Sequence, residues 1–436
     1  MIKKLLLLML LLKCSAGFAE TIRTDVLVIG GGASGVAAAV QSARSNVKTL
    51  LIVQGSQLGG GINDRFNLYN TSLASGIYAE FGSRIREFYR SCPGYDSSRN
   101  VPLMVEPEIA TALIKKMTDT AKNLTVKLNT SFKSIKKDGI GWVVTVTIDG
   151  RTAIIKAKLL VDATEKIDVA AAAASLTDSV KVMVPYDRYM PYNRGSQLYR
   201  TAIAVGDGMP GASKPFPAHS IPLGAVVAKD QDNLLITGKV MSTKDPSVQM
   251  SIGQGVGATA AYCIFFNTTT KNLKPRIIQG EILDHKGMLL PFADIKITDR
   301  DYRAIQQVGA TGLLHGMQKV NGNRTDVLFM PDILVRTAEI KPFLNEIYSR
   351  SFLWFNSENP GELFTLANLL SYISEITLRD PVNLQDGLRK TWKTYYHFPT
   401  DFNPNRPATR REFAVLANRF LNPFARKVDM SGRLVN

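Results

Sequence analysis

The sequence predicts an α/β fold built on a parallel β-sheet, and three neighbouring segments near the amino terminus indicate this class. Residues 24–29, TDVLVI, form a short apolar run that is typical of a strand buried on both faces. A glycine-rich turn and a helix of small residues, SGVAAAVQSARS, follow this strand. A second apolar strand, KTLLIVQ, comes next. A strand, a helix and a further strand in this order are typical of a parallel sheet with helices on its faces.

The turn between the first strand and the helix has the GxGxxG spacing of dinucleotide-binding proteins. Gly30 permits the tight turn, Gly32 lets the backbone approach a pyrophosphate, and Gly35 lets the helix pack closely on the strand. The free N–H groups and the positive dipole end of the helix then face the pyrophosphate. The second strand ends in Gln54, where a carboxylate normally accepts hydrogen bonds from the ribose. A glutamine carbonyl still accepts one such bond, but without the help of a negative charge.

Four segments in the same order resemble the bacterial FAD-dependent oxidoreductases of the glutathione-reductase-like fold. They are the GxGxxG unit, SQLGGG after the second strand, the strand IKAKLLVDATEK, and the late segment NLLITGKVMSTKDPSVQMSIGQGVGATAAY. The resemblance implies a Rossmann-like FAD-binding domain, made of a parallel sheet plus a β-meander, and it implies FAD as the cofactor. Only one GxGxxG unit is present, whereas a further nicotinamide site needs a second one. The residues assigned to FAD are Gly30, Gly32, Ala33, Ser34, Gly35, Gln54, Gly59, Gly60, Ala163, Thr164, Gly238, Gln254 and Gly255.

The segment IGQGVGATAAY is interpreted as a glycine-rich helix start whose free N–H groups lie near the flavin pyrimidine. Two positions depart from the family pattern. Glu165 replaces the last glycine of Asp-Ala-Thr-Gly, and the stretch between Gly238 and Gly253 lacks the usual arginine. Together with Gln54, these departures keep a second interpretation open, in which the flavin fold persists only as a scaffold.

The first residues, MIKKLLLLMLLLKCSAGFAE, are typical of a secretory signal peptide with cleavage after Ala19. We therefore expect an exported protein that is periplasmic, secreted or held at the cell surface, with no transmembrane segment in the mature chain. The formal net charge of +16 is compatible with an acidic partner, although no dense basic block favours a specific one. No nucleic-acid-binding motif is present.

The remaining sequence divides into a meander, a cap and a helical end. Residues 108–122 predict a helix, and three alternating segments with Asp138-Gly139 and Asp149-Gly150 turns predict the meander. The domain prediction is 1–19 signal peptide, 20–180 plus 219–270 FAD-binding domain, 181–218 plus 271–345 substrate or cap region, and 346–436 helical region.

Residues 400–422, TDFNPNRPATRREFAVLANRFLN, resemble the end of an S-layer homology module. This resemblance implies cell-surface polysaccharide as a partner. The capping box formed by Thr409 and Glu412 is equally compatible with an ordinary helix start. Only one such segment is recognised, and no internal repeat is predicted.

Candidate catalytic residues come from the few histidines. His219 precedes a strand that returns toward the flavin in the resembled family, and His315 is the second candidate base. Asp64 and Arg65 follow the LGG segment and are candidate substrate residues, Arg65 for an acidic substrate. No metal-ligand cluster, Cys-x-x-Cys pair or serine elbow is present.

The sequence therefore predicts an exported FAD-dependent oxidoreductase of the dehydrogenase or oxidase type, which transfers a hydride from a small organic substrate to flavin N5. The electron acceptor is not identified. One alternative is a non-catalytic surface or glycan-binding protein on a degenerate flavoprotein scaffold. A third interpretation is a flavin enzyme that reduces its substrate with electrons from a partner.

Overall fold

The computed structural model describes residues 20–60, 65–68, 71–93, 103–174, 180–185, 196–207, 217–239, 245–321 and 324–435. The predicted signal peptide, residues 1–19, lies outside the described residues. Within the described ranges, none of the helices is both long enough and apolar enough to cross a membrane.

The described strands, in chain order, are β1 Glu20–Ile29, β2 Thr49–Ile52, β3 Phe66–Leu68, β4 Leu103–Val105, β5 Leu124–Lys127, β6 Thr130–Asp138, β7 Gly141–Ile148, β8 Arg151–Asp162, β9 Ala202–Gly206, β10 His219–Pro222, β11 Leu234–Ile236, β12 Met317–Asn321 and β13 Arg324–Leu328. The α-helices are α1 Ala33–Arg44, α2 Gly76–Arg90, α3 Pro107–Asp119, α4 Asp168–Ala174, α5 Pro246–Phe265, α6 Pro275–Asp284, α7 Tyr302–Thr311, α8 Thr337–Ile347, α9 Ser351–Glu358, α10 Leu366–Thr377, α11 Pro381–Thr391 and α12 Arg410–Leu416.

A parallel sheet forms the centre of the molecule, as the sequence predicts. Its strands lie in the order β5-β2-β1-β8-β11, and every neighbouring pair is parallel. The middle strands are apolar on both faces; Val26, Leu27 and Val28 of β1 have no exposed surface. Because all five strands run the same way, their carboxyl ends meet at one edge of the sheet, where α/β proteins place their ligands.

The predicted meander is also present and continues this sheet. β7 pairs antiparallel with both β6 and the first half of β8. The turns at Asp138-Gly139 and Asp149-Gly150 join these strands, and Gly139, Asp149 and Gly150 adopt positive φ angles. The second half of β8 instead pairs with β11. One long strand therefore belongs to both the meander and the parallel sheet.

Helices α1 and α5 pack against each other with their backbones in close approach. A Cβ atom on Gly253 would lie 2.1 Å from the carbonyl oxygen of Ser34, and one on Gly257 would lie 2.5 Å from that of Ala38. Ser42 Oγ donates a hydrogen bond to the Gly257 carbonyl oxygen. The glycines of α5 therefore make room for α1, which fixes the start of α1 relative to the rest of the fold.

The carboxyl-terminal part is helical, as predicted, but it contains a repeat that the sequence analysis does not detect. Val335 N donates to the Ala408 carbonyl oxygen, Ala408 N to that of Phe364, and Phe364 N to that of Val335, each at 2.9 Å. These three bonds form a closed ring with approximate threefold symmetry. Each of the three segments leads directly into a helix, α8, α10 and α12 in turn. The prediction of no internal repeat is therefore wrong.

Three arginines connect this helical part, from about residue 330 onward, to the rest of the chain. Arg200, which is 1% exposed, pairs with Glu346 of α8 at 2.6 Å. Arg411 of α12 pairs with Asp299 at 2.8 Å. Arg410 is fully buried and donates to the carbonyl oxygens of Phe329 and His315. We refer to residues 330–435 as the helical module and to the described residues before it as the body.

Candidate FAD-binding site

The glycine turn lies at the carboxyl edge of the sheet, between β1 and α1. Gly30 has φ +121°, and a Cβ atom there would lie 2.5 Å from the carbonyl oxygen of Ala163. A Cβ on Gly35 would lie 1.9 Å from the Gly30 carbonyl oxygen. Both positions therefore require glycine, the first for the turn itself and the second for the contact between helix and strand.

Gly32 has a different environment, because a Cβ atom there would meet no other atom within 4 Å. Its carbonyl oxygen accepts the first hydrogen bond of α1, from Val36 N at 2.9 Å. The N–H groups of Ala33, Ser34 and Gly35 come before that first bond and belong to the free end of the helix. The result is an open cradle with backbone donors and the positive end of a helix dipole, which suits a pyrophosphate.

A second glycine pair borders this cradle. Gly59 N donates to the Gly31 carbonyl oxygen at 2.7 Å. Gly60 has φ +53°, and a Cβ atom on it would lie 2.9 Å from the Cα atom of Gly32. The structure thus brings the LGG segment against the GxGxxG turn, as the resemblance implies.

The loop after β8 forms the opposite border. Ala163 N donates to the Ile29 carbonyl oxygen at 2.9 Å. The fully buried Asp162 carboxylate accepts bonds from Thr164 N, Thr164 Oγ1 and Ala170 N. Burial raises the pKa of Asp162, although these hydrogen bonds oppose the shift. Asp162 therefore holds Ala163 and Thr164 at the cradle, while Glu165 is exposed on the following turn.

One residue at this edge, Thr237, is missed by the sequence analysis. It follows β11, and its Oγ1 atom lies 3.2 Å from Oγ of Ser34 in the first turn of α1. The predicted Gly238 comes next; a Cβ atom there would lie 3.0 Å from the Thr164 carbonyl oxygen. The sequence offered one indication of this role, because Thr237 directly precedes the assigned Gly238 in the segment LLITG.

The structure corrects the assignment of Gln254 and Gly255. The helix α5 begins at Pro246, with Asp245 Oδ1 accepting a hydrogen bond from Ser247 N, so Gln254 and Gly255 lie in its interior. Gln254 is buried; its Oε1 accepts a bond from Ile77 N and its Nε2 donates to Gln41 Oε1. A Cβ atom on Gly255 would lie 2.6 Å from the Ile203 carbonyl oxygen. The prediction that this glycine-rich segment starts the helix is wrong, because α5 already begins at Pro246 and its glycines pack against α1 and β9.

The remaining predicted residues are exposed or lie outside the described residues. Gln54 is exposed, after the last residue of β2. Arg65 is exposed and pairs through Nε with Glu106 at 2.8 Å. Asp64 falls outside the described residues. The roles of Gln54 at the ribose and of Arg65 at the substrate stay predictions.

Both histidine candidates are buried. His219 begins β10, its Nδ1 atom lies 3.2 Å from the Pro217 carbonyl oxygen, and its ring faces the backbone of Gly206. The His315 ring packs between Tyr199 and Phe343, with Nε2 at 3.2 Å from the Tyr199 hydroxyl. His315 therefore lies near the contact between body and helical module, and the role of either ring as a base stays a prediction. No cluster of metal ligands occurs among the described residues.

Comparison with known protein families agrees with the geometry of the cradle. Residues 25–177 match the family described as FAD dependent oxidoreductase. The matched segment is about a third of the chain and contains the glycine turn, the LGG segment and the Asp162 loop. The match indicates FAD as the cofactor. The residues present fit this cofactor, because the cradle at Gly32 is open and lined by backbone donors. No curated protein matches the sequence significantly.

Solved structures are similar to parts of the chain. The bacillithiol disulfide reductase Bdr (YpdA) from Staphylococcus aureus matches with 18% identity and a TM-score of 0.23, over 33% of this chain and 38% of the reductase. THI4 from Thermovibrio ammonificans matches with 15% identity and a TM-score of 0.34, over 61% of this chain and 97% of THI4. The p-nitrophenol 4-monooxygenase PnpA from Pseudomonas putida DLL-E4 matches with 12% identity and a TM-score of 0.35, over 66% and 90% of the two chains.

Proposed function

We propose that this protein is an FAD-dependent oxidoreductase that takes a hydride from a small organic substrate. The observation that carries the proposal is the open cradle at Gly32. The surrounding glycines are closely packed, whereas the Gly32 position faces free space at the amino end of α1. The free end of α1 therefore has room for a bound group at this position.

Different residues of the chain would bind different parts of FAD. The N–H groups at the start of α1 hold the pyrophosphate, and Gln54 accepts a hydrogen bond from the ribose. The Asp162 loop and Thr237 fix the edge of the sheet beside which the cofactor extends. When bound, FAD supplies the hydride acceptor. A substrate alcohol or amine also loses a proton, for which His219 is the first candidate acceptor.

Gly32→Glu tests the proposal, because a Cβ atom there meets no other atom within 4 Å and the new side chain brings a negative charge to the cradle. We expect the purified variant to fold normally, by circular dichroism, and to lose the flavin absorbance band. Gly361→Glu is the matched control, since a Cβ there also meets nothing within 4 Å and the site lies in the helical module. A Gly32→Glu protein that keeps its flavin would overturn the placement of the pyrophosphate. A parent protein that FAD neither colours nor stabilises would overturn the function.

We further propose that the protein is exported and that the helical module attaches it to surface polysaccharide. The leader-like sequence of residues 1–19 supports export. The threefold ring of Val335, Phe364 and Ala408 supports a separate binding role, because repeated units commonly form interaction surfaces. Mass spectrometry of the mature amino terminus tests cleavage after Ala19. Co-sedimentation with cell-wall polysaccharide tests attachment, and an unprocessed protein or one that stays in the supernatant contradicts the respective proposal.

A further inference from the structure

A cavity of about 400 Å³ lies in the helical module between α11 and residues 417–421, which follow α12. It is far along the chain from the FAD cradle and shares no residue with it. Its lining residues are Arg379, Leu384, Leu388, Tyr396, Arg419 and Phe420, with Asp380, Asn383, Gly387 and Thr391 at the rim.

Two arginines give this cavity positive charge. The guanidinium carbon of Arg379 lies 5.3 Å from the ring centre of Phe420, and that of Arg419 lies 6.0 Å from it. Arg419 also donates to the Tyr395 hydroxyl at 2.9 Å. Neither arginine belongs to any ion pair within the part of the chain that the structure describes. Arg406 and Arg411 of the same module, in contrast, are paired with carboxylates.

A rare backbone feature places Arg419 and Phe420 at the cavity. Residues Ala417–Leu421 form one turn of π-helix, closed by a hydrogen bond from Asn422 N to the Ala417 carbonyl oxygen at 3.1 Å. Such turns are uncommon and frequently occur at functional sites. Here the turn places a cation and an aromatic ring, consecutive in sequence, against the same cavity.

The rest of the lining is mainly apolar. Leu384 and Leu388, only 6% and 3% exposed, form its floor with the ring of Tyr396. Two hydrogen bonds engage part of the rim, from Asn383 N to Asp380 Oδ1 and from Thr391 Oγ1 to the Gly387 carbonyl oxygen. A flat apolar ring would contact Phe420 and the leucines directly.

We propose that this cavity binds a carboxylate carried on an apolar ring, with the carboxylate paired to Arg379 and Arg419 and the ring lying on Phe420. Arginine suits this task because its planar fork matches the two oxygens of a carboxylate. Both guanidinium groups already lie near the Phe420 ring before the ligand arrives. The proposal does not depend on FAD, so an experiment can reject it without affecting the proposed oxidoreductase function.

Isothermal titration calorimetry at low ionic strength tests the proposal with four probes: benzoate, phenol, glucuronate and inorganic phosphate. We expect benzoate to bind more tightly than the other three, and added salt to weaken it. Arg379→Gln and Arg419→Gln should each weaken benzoate about tenfold. Arg389→Gln is the matched control, because Arg389 lies on α11 with its guanidinium over Phe402, and it does not line the cavity.

Each other outcome overturns the proposal. If phenol and benzoate bind equally tightly, the carboxylate of the ligand has no role in binding. Tighter binding of glucuronate would assign the cavity to a sugar acid, and tighter binding of phosphate to a simple anion. Binding that is unchanged in both glutamine variants, or absent for every probe, would show that these arginines form no site. Arg379→Lys and Arg419→Lys keep the charge and should lose only part of the affinity.

Discussion

At the scale of single residues, the most informative position is Gln54, because it replaces a carboxylate that normally contacts the ribose. The side chain is exposed at the end of β2, so a change there does not disturb the core. A negative charge strengthens a hydrogen bond to a hydroxyl by about 1 kcal/mol. Gln54→Glu is therefore expected to tighten FAD binding roughly fivefold, as measured by fluorescence titration of the apoprotein. Gln57→Glu, exposed in the same loop, is the control; equal effects of the two changes would indicate general electrostatics.

A second residue-scale prediction concerns Glu412, which is 1% exposed at the start of α12. Burial alone would raise the pKa of this carboxyl. Hydrogen bonds from Arg406, Thr400 and Thr409 N outweigh burial and hold the pKa below its usual range. A carboxyl with a lowered pKa in the folded state stabilises the fold above its ordinary pKa, and this stabilisation is lost as the pH falls through the folded-state value.

We therefore expect Glu412→Gln to lower the free energy of unfolding at neutral pH by about 2 kcal/mol. The loss should shrink as the pH falls below about 4, because the parent protein then loses the same interactions. Urea unfolding between pH 3 and pH 7 measures this difference. The exposed Glu358 provides the control Glu358→Gln. A difference from the parent that stays constant with pH would contradict the proposed role of the charge.

At the scale of elements, the glycines of α5 show how close the α1–α5 contact is. In an ordinary helix interior, replacing glycine by alanine stabilises the fold by roughly 0.5–1 kcal/mol. At Gly253 the added methyl group would lie 2.1 Å from the Ser34 carbonyl oxygen and 2.8 Å from Ala37 Cβ. We expect Gly253→Ala to destabilise the protein by about 2 kcal/mol and to weaken FAD binding, since Ser34 belongs to the cradle.

Gly387→Ala is the matched control for this prediction. Gly387 also lies inside a helix, α11, but a Cβ atom there meets nothing within 4 Å. This variant should be more stable than the parent, so the two substitutions should have opposite signs in thermal unfolding. The same sign for both would show that α1 and α5 can move apart at little cost.

The two glycine-rich segments also show which features could be predicted from the sequence. The turn at Gly30 to Gly35 follows a buried strand and precedes a helix, so its local context determines its role. The segment around Gly253 has a similar glycine-rich sequence, but its role depends on Ser34, which lies more than two hundred residues away in the chain. No local pattern distinguishes a glycine that faces a ligand from one that faces a neighbouring helix.

The threefold ring escaped prediction for a related reason. Its bonds join backbone groups of Val335, Phe364 and Ala408, which are different residue types of different size. What the segments share is mainly a proline a few residues earlier, at Pro331, Pro360 and Pro404. A repeat defined by backbone hydrogen bonds leaves little trace in the sequence, whereas the capping box at Thr409 and Glu412 was visible.

At the scale of the whole molecule, two ion pairs connect the body to the helical module: the buried Arg200 with Glu346, and Arg411 with Asp299. Separating the two parts would leave Arg200, a buried cation, without its partner, which is strongly unfavourable. We therefore expect the body and the module to unfold in one transition, although the proposed FAD site belongs to the body alone.

The three tryptophans allow a direct test of this coupling. Trp142 lies in the body, whereas Trp354 and Trp392 are buried in the module. In a Trp142→Phe variant, tryptophan fluorescence reports only on the module. FAD at 100 times its dissociation constant should stabilise the folded state by about 2.7 kcal/mol. If the two parts are coupled, this shift appears in the module fluorescence during urea unfolding. Gly32→Glu, which should not bind FAD, is the control. A module transition that FAD leaves unchanged, while the body is stabilised, would show that the arginine pairs do not make one cooperative unit.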